Sequence, residues 1–395
     1  MSKLSKFNIF VFVVFIIIST IFYSNKFSVV FGFLLLILLF LYNFKQSKKR
    51  LNKQILYIIL FFFLISLLLI LIDSNFIENI SSTILVYFTI LLLFLNISTQ
   101  ENKTEIFINV FKFFSIFVLF LIIYSCIVYF LGSKILLYNS ETNTYYQKLN
   151  ILGVSFIQSA VGDPKKGLYV GSLTGNPNTL SYLSVISIIY YLILSNCKKT
   201  KKIVCIIISI IGILISGSRL ATTLIPIIIF LNIVVNKMDF TKKKNIYMLF
   251  FVVILFILLL LFNANSIFNS IDFNGRITNW EIGIKNISLF GHGINSDNIY
   301  LFRYYNKYTS MHNSYISLFV NYGIIFGTAI LFVILKLLKN MLTATSKSKI
   351  NKFIFVLFLT LLIMSLSESI FFINGLYNFL FFYLIILFVM KEANE

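Results

Sequence analysis

Arginine is the residue type that most directly suggests chemistry in this sequence. Of the 33 basic residues, four are arginines and the rest are lysines. A planar guanidinium binds phosphate oxygens through two parallel hydrogen bonds, which the ammonium group of lysine cannot do. Arg50 lies in a lysine cluster, and the other three arginines, Arg219, Arg276 and Arg303, lie outside such clusters. These three therefore suggest phosphate recognition, for example of a lipid-linked diphosphate, and the alternative for each is a side chain that reaches toward lipid headgroups.

The two histidines, His292 and His312, are the candidate proton acceptors. Both lie between residues 264 and 314, and His312 comes directly before an apolar run. Imidazole can accept a proton from a sugar hydroxyl near neutral pH, so His312 is the candidate catalytic base. The alternative is that it caps the following helix. Two histidines without a cluster of carboxylates make a poor metal site, so we expect no metal and no cofactor.

Further polar and aromatic residues near these groups could line the same cavity. Ile277, Trp280 and Ile284 follow a helical spacing, which predicts an amphipathic helix at the membrane surface directly after Arg276. The asparagines at the start of the sixth apolar run could face a ligand or could cap the helix. The candidate cavity-lining residues are Asn176, Asn178, Trp280, Arg303 and Asn313.

The composition decides which elements must position these residues. The chain has 59% hydrophobic residues and only 12% charged residues, about half the charge expected of a soluble domain. Its net charge of +20 comes from lysines clustered between apolar runs, which is typical of membrane anchoring and not of nucleic-acid binding. Runs long enough to cross a bilayer occur at 7–23, 27–44, 54–72, 80–97, 106–131, 177–195, 203–217, 220–236, 246–263, 315–338, 353–370 and 374–390.

The lysines predict the orientation of these runs. With the N-terminus inside, the inner loops carry lysine clusters such as those at 45–53 and 198–202, whereas the outer loops at 73–79 and 371–373 carry none. This is the pattern of the positive-inside rule. The sequence therefore predicts a multi-pass protein of the cytoplasmic (inner) membrane with both termini in the cytoplasm.

Two predicted outer loops are longer than a connector needs to be, and long loops are usually functional. The predicted fold is an all-α polytopic membrane protein with about 12 transmembrane helices and two long extracytoplasmic loops. The predicted organisation is a five-helix region at 1–131, the first outer loop at 132–176, helices six to nine at 177–263, the second outer loop with the catalytic motifs at 264–314, and the last three helices at 315–395.

A set of short motifs in the region 170–330 resembles the O-antigen ligase and polymerase superfamily of membrane glycosyltransferases. Each motif is weak alone, and their order and common outer placement make the set specific. The motifs are Gly175-Asn176-Pro177-Asn178, Ser216-Gly217-Ser218-Arg219, Arg276 followed by Trp280, Leu289-Phe290-Gly291-His292-Gly293, and His312-Asn313-Ser314-Tyr315 before Asn321-Tyr322-Gly323.

The resemblance implies an enzyme that joins the reducing end of an undecaprenyl-diphosphate-linked glycan to an acceptor hydroxyl, without a metal. Arg219 and Arg276 would bind the diphosphate, and His312 would activate the hydroxyl. The expected activity is polymerisation of repeat units into O-antigen, capsule or exopolysaccharide. The alternatives are an O-antigen ligase acting on lipid A–core and, from another class, a lipid-linked oligosaccharide flippase. The expected partners are the lipid-linked glycan, the acceptor glycan and the bilayer, with a flippase and a chain-length regulator as further candidates.

Overall fold

Helices dominate the part of the chain that the structure describes. This computed structural model describes residues 3–21, 34, 36–41, 53–72, 80–99, 102–132, 137–139, 144–151, 154–163, 167–174, 176–238, 240, 242, 245, 276–306, 310–368, 370 and 376–392. The helices, in chain order, are α1 (Lys3–Ile21), α2 (Lys53–Ile72), α3 (Ile80–Thr99), α4 (Lys103–Leu131), α5 (Pro177–Ile193), α6 (Lys199–Ser216), α7 (Arg219–Lys237), α8 (Arg276–Lys285), α9 (Ser296–Tyr305), α10 (Ser314–Thr343), α11 (Lys349–Met364) and α12 (Leu376–Glu392).

Three of these helices are long and apolar enough to cross a membrane by length and composition: α4, α7 and α10 with its 3-10 extension to Ser346. Shorter apolar helices occur at Lys6–Phe15, Val86–Thr99, Pro177–Ile193 and Asn378–Met390. A mostly helical chain of membrane type is thereby confirmed, and the number of twelve spans stays a prediction. The predicted span at 246–263 lies outside the described residues, and the one at 27–44 is described at 34 and 36–41, which are helical.

The chain divides into two units, and the first comprises Met1–Leu51 and Leu92–Asn232. Helix α4 packs against α1, α5 and α6. Its buried side includes the aromatic side chains of Phe107, Phe111 and Phe114. Gly212 lets α6 approach its neighbours, because a Cβ there would lie 2.6 Å from Oγ of Ser184 and 2.7 Å from Cγ1 of Ile122. Small residues at such crossings are the usual means of close helix packing in membranes.

A four-stranded antiparallel sheet follows α4 in this first unit and corrects the prediction of an all-α chain. Its strands pair in sequence order as β1 (Leu137–Asn139), β2 (Thr144–Ile151), β3 (Val154–Asp163) and β4 (Gly167–Ser172). The sheet occupies most of the predicted first outer loop at 132–176. Gln147 and Gln158 are buried within it and hydrogen-bonded to each other at 2.8 Å. Because polar residues share the inward face with apolar ones, the alternation of polarity that would reveal strands is weak.

The second unit comprises Asn52–Leu91 and Ile233–Glu395. Its longest helix, α10, is interrupted at Gly323, whose φ of 72° and ψ of −179° are not helical. Just before the break, the hydroxyl of Tyr322 lies 3.0 Å from that of Tyr87, and both approach Oγ of Ser66. These hydroxyls satisfy one another in a buried position, where an unpaired polar group would be costly.

Candidate active site

Arg276 and His312 share one partner, the carboxylate of Glu368. Oε1 of Glu368 lies 3.5 Å from Nη2 of Arg276, and its Oε2 lies 3.3 Å from Nδ1 of His312. Nη1 of Arg276 also donates to the carbonyl of Ser367 at 3.1 Å. The two residues predicted to bind diphosphate and to accept a proton are therefore brought together, 36 positions apart in the sequence (312 − 276).

The backbone around His312 is held by helix α8, which begins at Arg276. Nε1 of Trp280 donates to the carbonyl of Met311 at 3.0 Å, and Nδ2 of Asn279 donates to the carbonyl of Ser310 at 3.0 Å. His312 itself has a φ of 51°, in the left-handed region that costs a non-glycine residue energy unless neighbours enforce it. Trp280 thus helps to enforce the conformation of the His312 turn.

Helix α8 forms over the segment for which the sequence predicts an amphipathic helix. Asn279 and Gly283 are buried against the protein, while Ile277 and Ile284 are exposed on the helix surface. Gly283 packs close to Met311, since a Cβ at this position would lie 2.8 Å from Cε of that methionine. Asn279 and Gly283 therefore face the rest of the protein, whereas Ile277 and Ile284 face outward.

The start of α10 is bonded to the end of α11, which places Glu368. The amide of Ser314 donates to the carbonyl of Ser365 at 2.9 Å, and Oγ of Ser314 donates to the carbonyl of Glu368 at 2.8 Å. Asn313 caps α10, because its Oδ1 accepts from the amides of Tyr315 and Ile316. Asn313 therefore has a capping role, and its place in the lining of a cavity stays a prediction.

The arrangement leaves one ring nitrogen of His312 available to accept a proton. When Nδ1 of His312 donates to Glu368, the lone pair stays on Nε2, which has no hydrogen-bond partner among the residues described. A carboxylate in this position fixes the tautomer and favours the imidazolium that forms on proton transfer. The side chains of Arg276 and His312 are 23% and 29% exposed, so both can reach a ligand. The guanidinium has N–H groups beyond the two used here.

Glu368 is a candidate site residue that was not predicted from the sequence. It is the one acidic residue inside any of the twelve predicted spans, within the run 353–370. An ionisable residue at membrane depth is a reason to suspect a functional site. That signal was present in the sequence, although its partners were not evident, since Glu368 lies 56 positions after His312.

The second histidine, His292, lies in a turn that is hydrogen-bonded to α10. His292 stands between Gly291 and Gly293, which have φ values of 87° and 93°. The amides of His292 and Gly293 both donate to the carbonyl of Asn321, at 3.1 Å and 2.8 Å. Nε2 of His292 lies 3.3 Å from the hydroxyl of Tyr300. The glycine-flanked turn therefore supplies donors to a carbonyl that the break in α10 leaves without its helical partner.

The same loop completes the other side of the break. The amides of Ile324 and Ile325 donate to the carbonyls of Ser288 and Leu289, at 3.0 Å and 3.2 Å. We call residues 288–293 the clasp, because they satisfy both ends of the interrupted helix. This use of a loop resembles the way discontinuous membrane helices are generally stabilised.

A buried carboxyl lies next to the clasp. Asp297 is fully buried at the start of α9, where it accepts a hydrogen bond from Oγ of Ser317, and its amide donates to Oδ1 of Asn321. Burial raises the pKa of Asp297 above its usual value, although these hydrogen bonds partly oppose the effect. The same helix carries Arg303 in its last turn, on an exposed surface.

Arg219 belongs to the first unit and begins α7 after a sharp break. Gly217 ends α6 in a left-handed conformation with a φ of 67°. Ser218 is buried, and its Oγ lies 3.5 Å from the amide of Ala221, in the manner of a helix cap. The side chain of Arg219 is exposed.

The N-terminus of α5 lies near this break in the same unit. Oδ1 of Asn176 accepts from the amide of Asn178 at 2.8 Å, so the structure shows capping for Asn176. Strand β4 contacts the start of α5 and the end of α6: a Cβ at Gly171 would lie 2.6 Å from the carbonyl carbon of Asn176, and Tyr169 lies against Gly217. Arg219, Asn176 and Asn178 therefore share one end of the first unit.

The long apolar helices are those of a membrane protein, and the charged and hydrogen-bonded groups near Arg276 form its candidate site. Residues 203–332 match the family model described as O-antigen ligase, which confirms the O-antigen ligase and polymerase superfamily as the one this chain resembles. The members are glycosyltransferase-like enzymes of the inner membrane that act as ligases or polymerases. The match includes Arg219, Arg276 and His312 and ends before Glu368. No curated protein matches the chain.

Proposed function

We propose that this protein polymerises undecaprenyl-diphosphate-linked oligosaccharide repeat units on the outer face of the cytoplasmic membrane. The product would be O-antigen, capsular polysaccharide or exopolysaccharide. The observation that carries the proposal is the cluster of Arg276, Glu368 and His312, in which a phosphate-binding cation and a candidate base share one carboxylate. The family match supports the same class of reaction.

In the proposed reaction, the acceptor hydroxyl attacks the anomeric carbon of the lipid-linked glycan. The bond from that carbon to the diphosphate oxygen breaks, and the carrier diphosphate leaves with the bonding electrons. Arg276 binds the diphosphate and stabilises its negative charge, which is also the role predicted for Arg219. Nε2 of His312 takes the hydroxyl proton as the new glycosidic bond forms.

Glu368 is a positioning residue in this scheme. Its contact with Nδ1 orients the ring of His312 and stabilises the imidazolium after proton transfer. Its contact with Arg276 holds the guanidinium beside the base before the donor binds. Holding charged groups in place in advance lowers the reorganisation needed during the reaction.

A ligase that transfers finished glycan to lipid A–core is the second candidate, favoured by the description of the matched family as O-antigen ligase. Both activities need the same donor, base and leaving group, and they differ in the acceptor. A flippase needs no base at the membrane surface, so the cluster around His312 favours an enzyme.

Deletion of the gene, followed by gel analysis of surface polysaccharide, tests the proposal. Loss of a polymerase should leave single repeat units, whereas loss of a ligase should leave long chains on the lipid carrier. Complementation with the wild-type gene should restore the ladder of chain lengths. An unchanged polysaccharide profile in the deletion strain would contradict both activities.

A further inference from the structure

The sheet of the first unit is bonded to the last turns of α4. The hydroxyl of Tyr124 donates to the carbonyl of Ile157 at 2.6 Å, and Oγ of Ser172 donates to the carbonyl of Leu121 at 3.0 Å. A third bond joins Nε2 of Gln147 to the carbonyl of Tyr129 at 3.3 Å. These bonds join three different strands or strand ends to one helix, so the sheet has a fixed position within this unit.

Strand β4 carries Tyr169, whose ring lies directly on the turn between α6 and α7. A Cβ at Gly217 would lie 2.0 Å from Cδ1 and 2.2 Å from Cε1 of Tyr169. Glycine is therefore needed at this position for two reasons, because its φ of 67° is also left-handed. Two residues later the chain reaches Arg219.

The contact is one of packing by the ring. The hydroxyl of Tyr169 makes no hydrogen bond among the described residues, whereas the ring carbons face the backbone of Gly217. The local bonds of the turn, such as that from the amide of Gly217 to the carbonyl of Leu214 at 3.2 Å, form within α6 itself. The ring of Tyr169 adds a restraint from outside the two helices.

We propose that Tyr169 is a positioning residue that holds the turn before Arg219, and that the sheet acts as the frame for donor binding. This inference rests on the proposed role of Arg219 in binding the carrier diphosphate. Binding of a diphosphate fixes both the backbone and the side chain of Arg219. A backbone that is already restrained loses less conformational entropy when the ligand binds. Tyr169 would therefore increase affinity for the diphosphate without touching it.

The test is a double-mutant cycle on the full-length protein in nanodiscs, with undecaprenyl diphosphate without glycan as the probe. Undecaprenyl monophosphate is the control ligand. We expect Tyr169→Ala to weaken diphosphate binding by about tenfold, the scale of a partly lost charge-assisted hydrogen bond. Tyr169→Phe should bind as the wild type does, because the ring is retained. Tyr146→Ala, on another strand of the same sheet, is the matched control and should also bind normally.

The second part of the experiment measures diphosphate binding by the double variant of Tyr169→Ala and Arg219→Ala. If Tyr169 acts through Arg219, the double variant should bind no more weakly than Arg219→Ala alone. A full additional loss in the double variant would overturn the inference and leave the role of Arg219 intact. Normal diphosphate binding by Arg219→Ala would instead contradict the proposed role of Arg219, and the inference with it.

A second variant carries the test if Tyr169→Ala fails to fold. Asparagine tolerates the left-handed conformation, so Gly217→Asn keeps the backbone of the turn and adds a Cβ against the ring. We expect weaker diphosphate binding from Gly217→Asn and recovery when Tyr169→Leu, with a more flexible side chain, is added. Normal binding by Gly217→Asn would overturn the proposed contact.

Discussion

At the scale of single residues, the central question is how one carboxylate can contact both an arginine and a histidine. Glu368 contacts Arg276 through one oxygen and His312 through the other, so neither contact displaces the other. Under the proposed function, a diphosphate on Arg276 would neutralise part of the positive charge near Glu368. The carboxylate would then stabilise a proton on His312 more strongly, so donor binding would be coupled to base activation.

The role of His312 can be tested by replacing it with glutamine. His312→Gln keeps hydrogen bonding but cannot accept a proton, so chain growth should fall by roughly 10²–10⁴-fold. Binding of the lipid-linked donor should persist, because the arginines bind the diphosphate. Polymer formation by the variant in cells or membranes is the measurement.

His292→Ala is the internal comparison and should be tolerated better, since the turn around it bonds through backbone amides. Glu368→Gln should give a smaller loss than His312→Gln, because it removes orientation and charge but leaves the base. Full-length polymer from His312→Gln would leave the arginines without a catalytic base beside them.

The arginines can be separated from simple cations by conversion to lysine. Arg276→Lys and Arg219→Lys keep a positive charge but lose the two-pronged hydrogen-bonding geometry. Each should impair polymer formation and weaken donor binding by about tenfold or more, with normal insertion into the membrane. Arg276→Lys is the more informative change, because a lysine can still pair with Glu368. Wild-type polymer from both variants would reduce the arginines to membrane anchors.

At this scale, residue type in the sequence predicted the candidates, and tertiary structure decided their partners. Arg276 and His312 are predicted because arginine and histidine are rare in this lysine-rich chain, and their side chains suit phosphate binding and proton transfer. Asn176 could be read from sequence as a cap or as a ligand, and the structure shows a cap, as it also does for Asn313. Glu368 could not be paired from sequence, because nothing local specifies which helix ends meet.

At the scale of elements, the interruption of α10 determines where the clasp lies. Gly323 has a combination of φ and ψ that is almost exclusive to glycine. Its Cβ position is also occupied, since an added carbon would lie 2.3 Å from the amide nitrogen of Gly291. The clasp can bond to the break only because both glycines lack side chains.

Gly323→Ala should therefore destabilise the protein. The backbone strain alone costs about 1–3 kcal/mol, and the contact with Gly291 adds to it because backbone atoms cannot move aside easily. Melting temperature in detergent is the measurement. Gly327→Ala, in the same helix, is the comparison and should cost less, because the atoms nearest its Cβ belong to the side chain of Phe319. Equal melting temperatures for Gly323→Ala and the wild type would show that the interruption of α10 carries no strain.

The elements differ in how far the sequence predicts them. Long apolar runs and the spacing of Ile277, Trp280 and Ile284 predict helices well, because local periodicity contains the information. The sheet was not predicted, because its strands bury glutamines and depend on pairing between segments. The interruption at Gly323 likewise depends on the clasp, whose last residue, Gly293, lies 30 positions earlier (323 − 293) and donates to the carbonyl of Asn321.

At the scale of the whole molecule, the position of a lysine cluster at one end of the first unit predicts how that unit is oriented across the membrane. Ser187 contacts Ser209, and Ser184 lies against Gly212, so α5 and α6 run antiparallel. Their connection, with its lysines at 198–202, therefore lies at the opposite end from the sheet and the turn before Arg219. The positive-inside rule places the lysines in the cytoplasm and predicts that the sheet and Arg219 are outside.

Cysteine labelling in intact cells tests this orientation. In a chain whose three native cysteines are replaced by serine, Asn306→Cys should react with a membrane-impermeant reagent and Thr200→Cys should not. Both positions are exposed in the structure, so protection of Thr200→Cys cannot come from burial. Permeabilised cells provide the control, because both variants should then react. Labelling at position 200 but not at 306 in intact cells would place the candidate active site in the cytoplasm, where a lipid-linked donor already moved to the outer leaflet could not reach it.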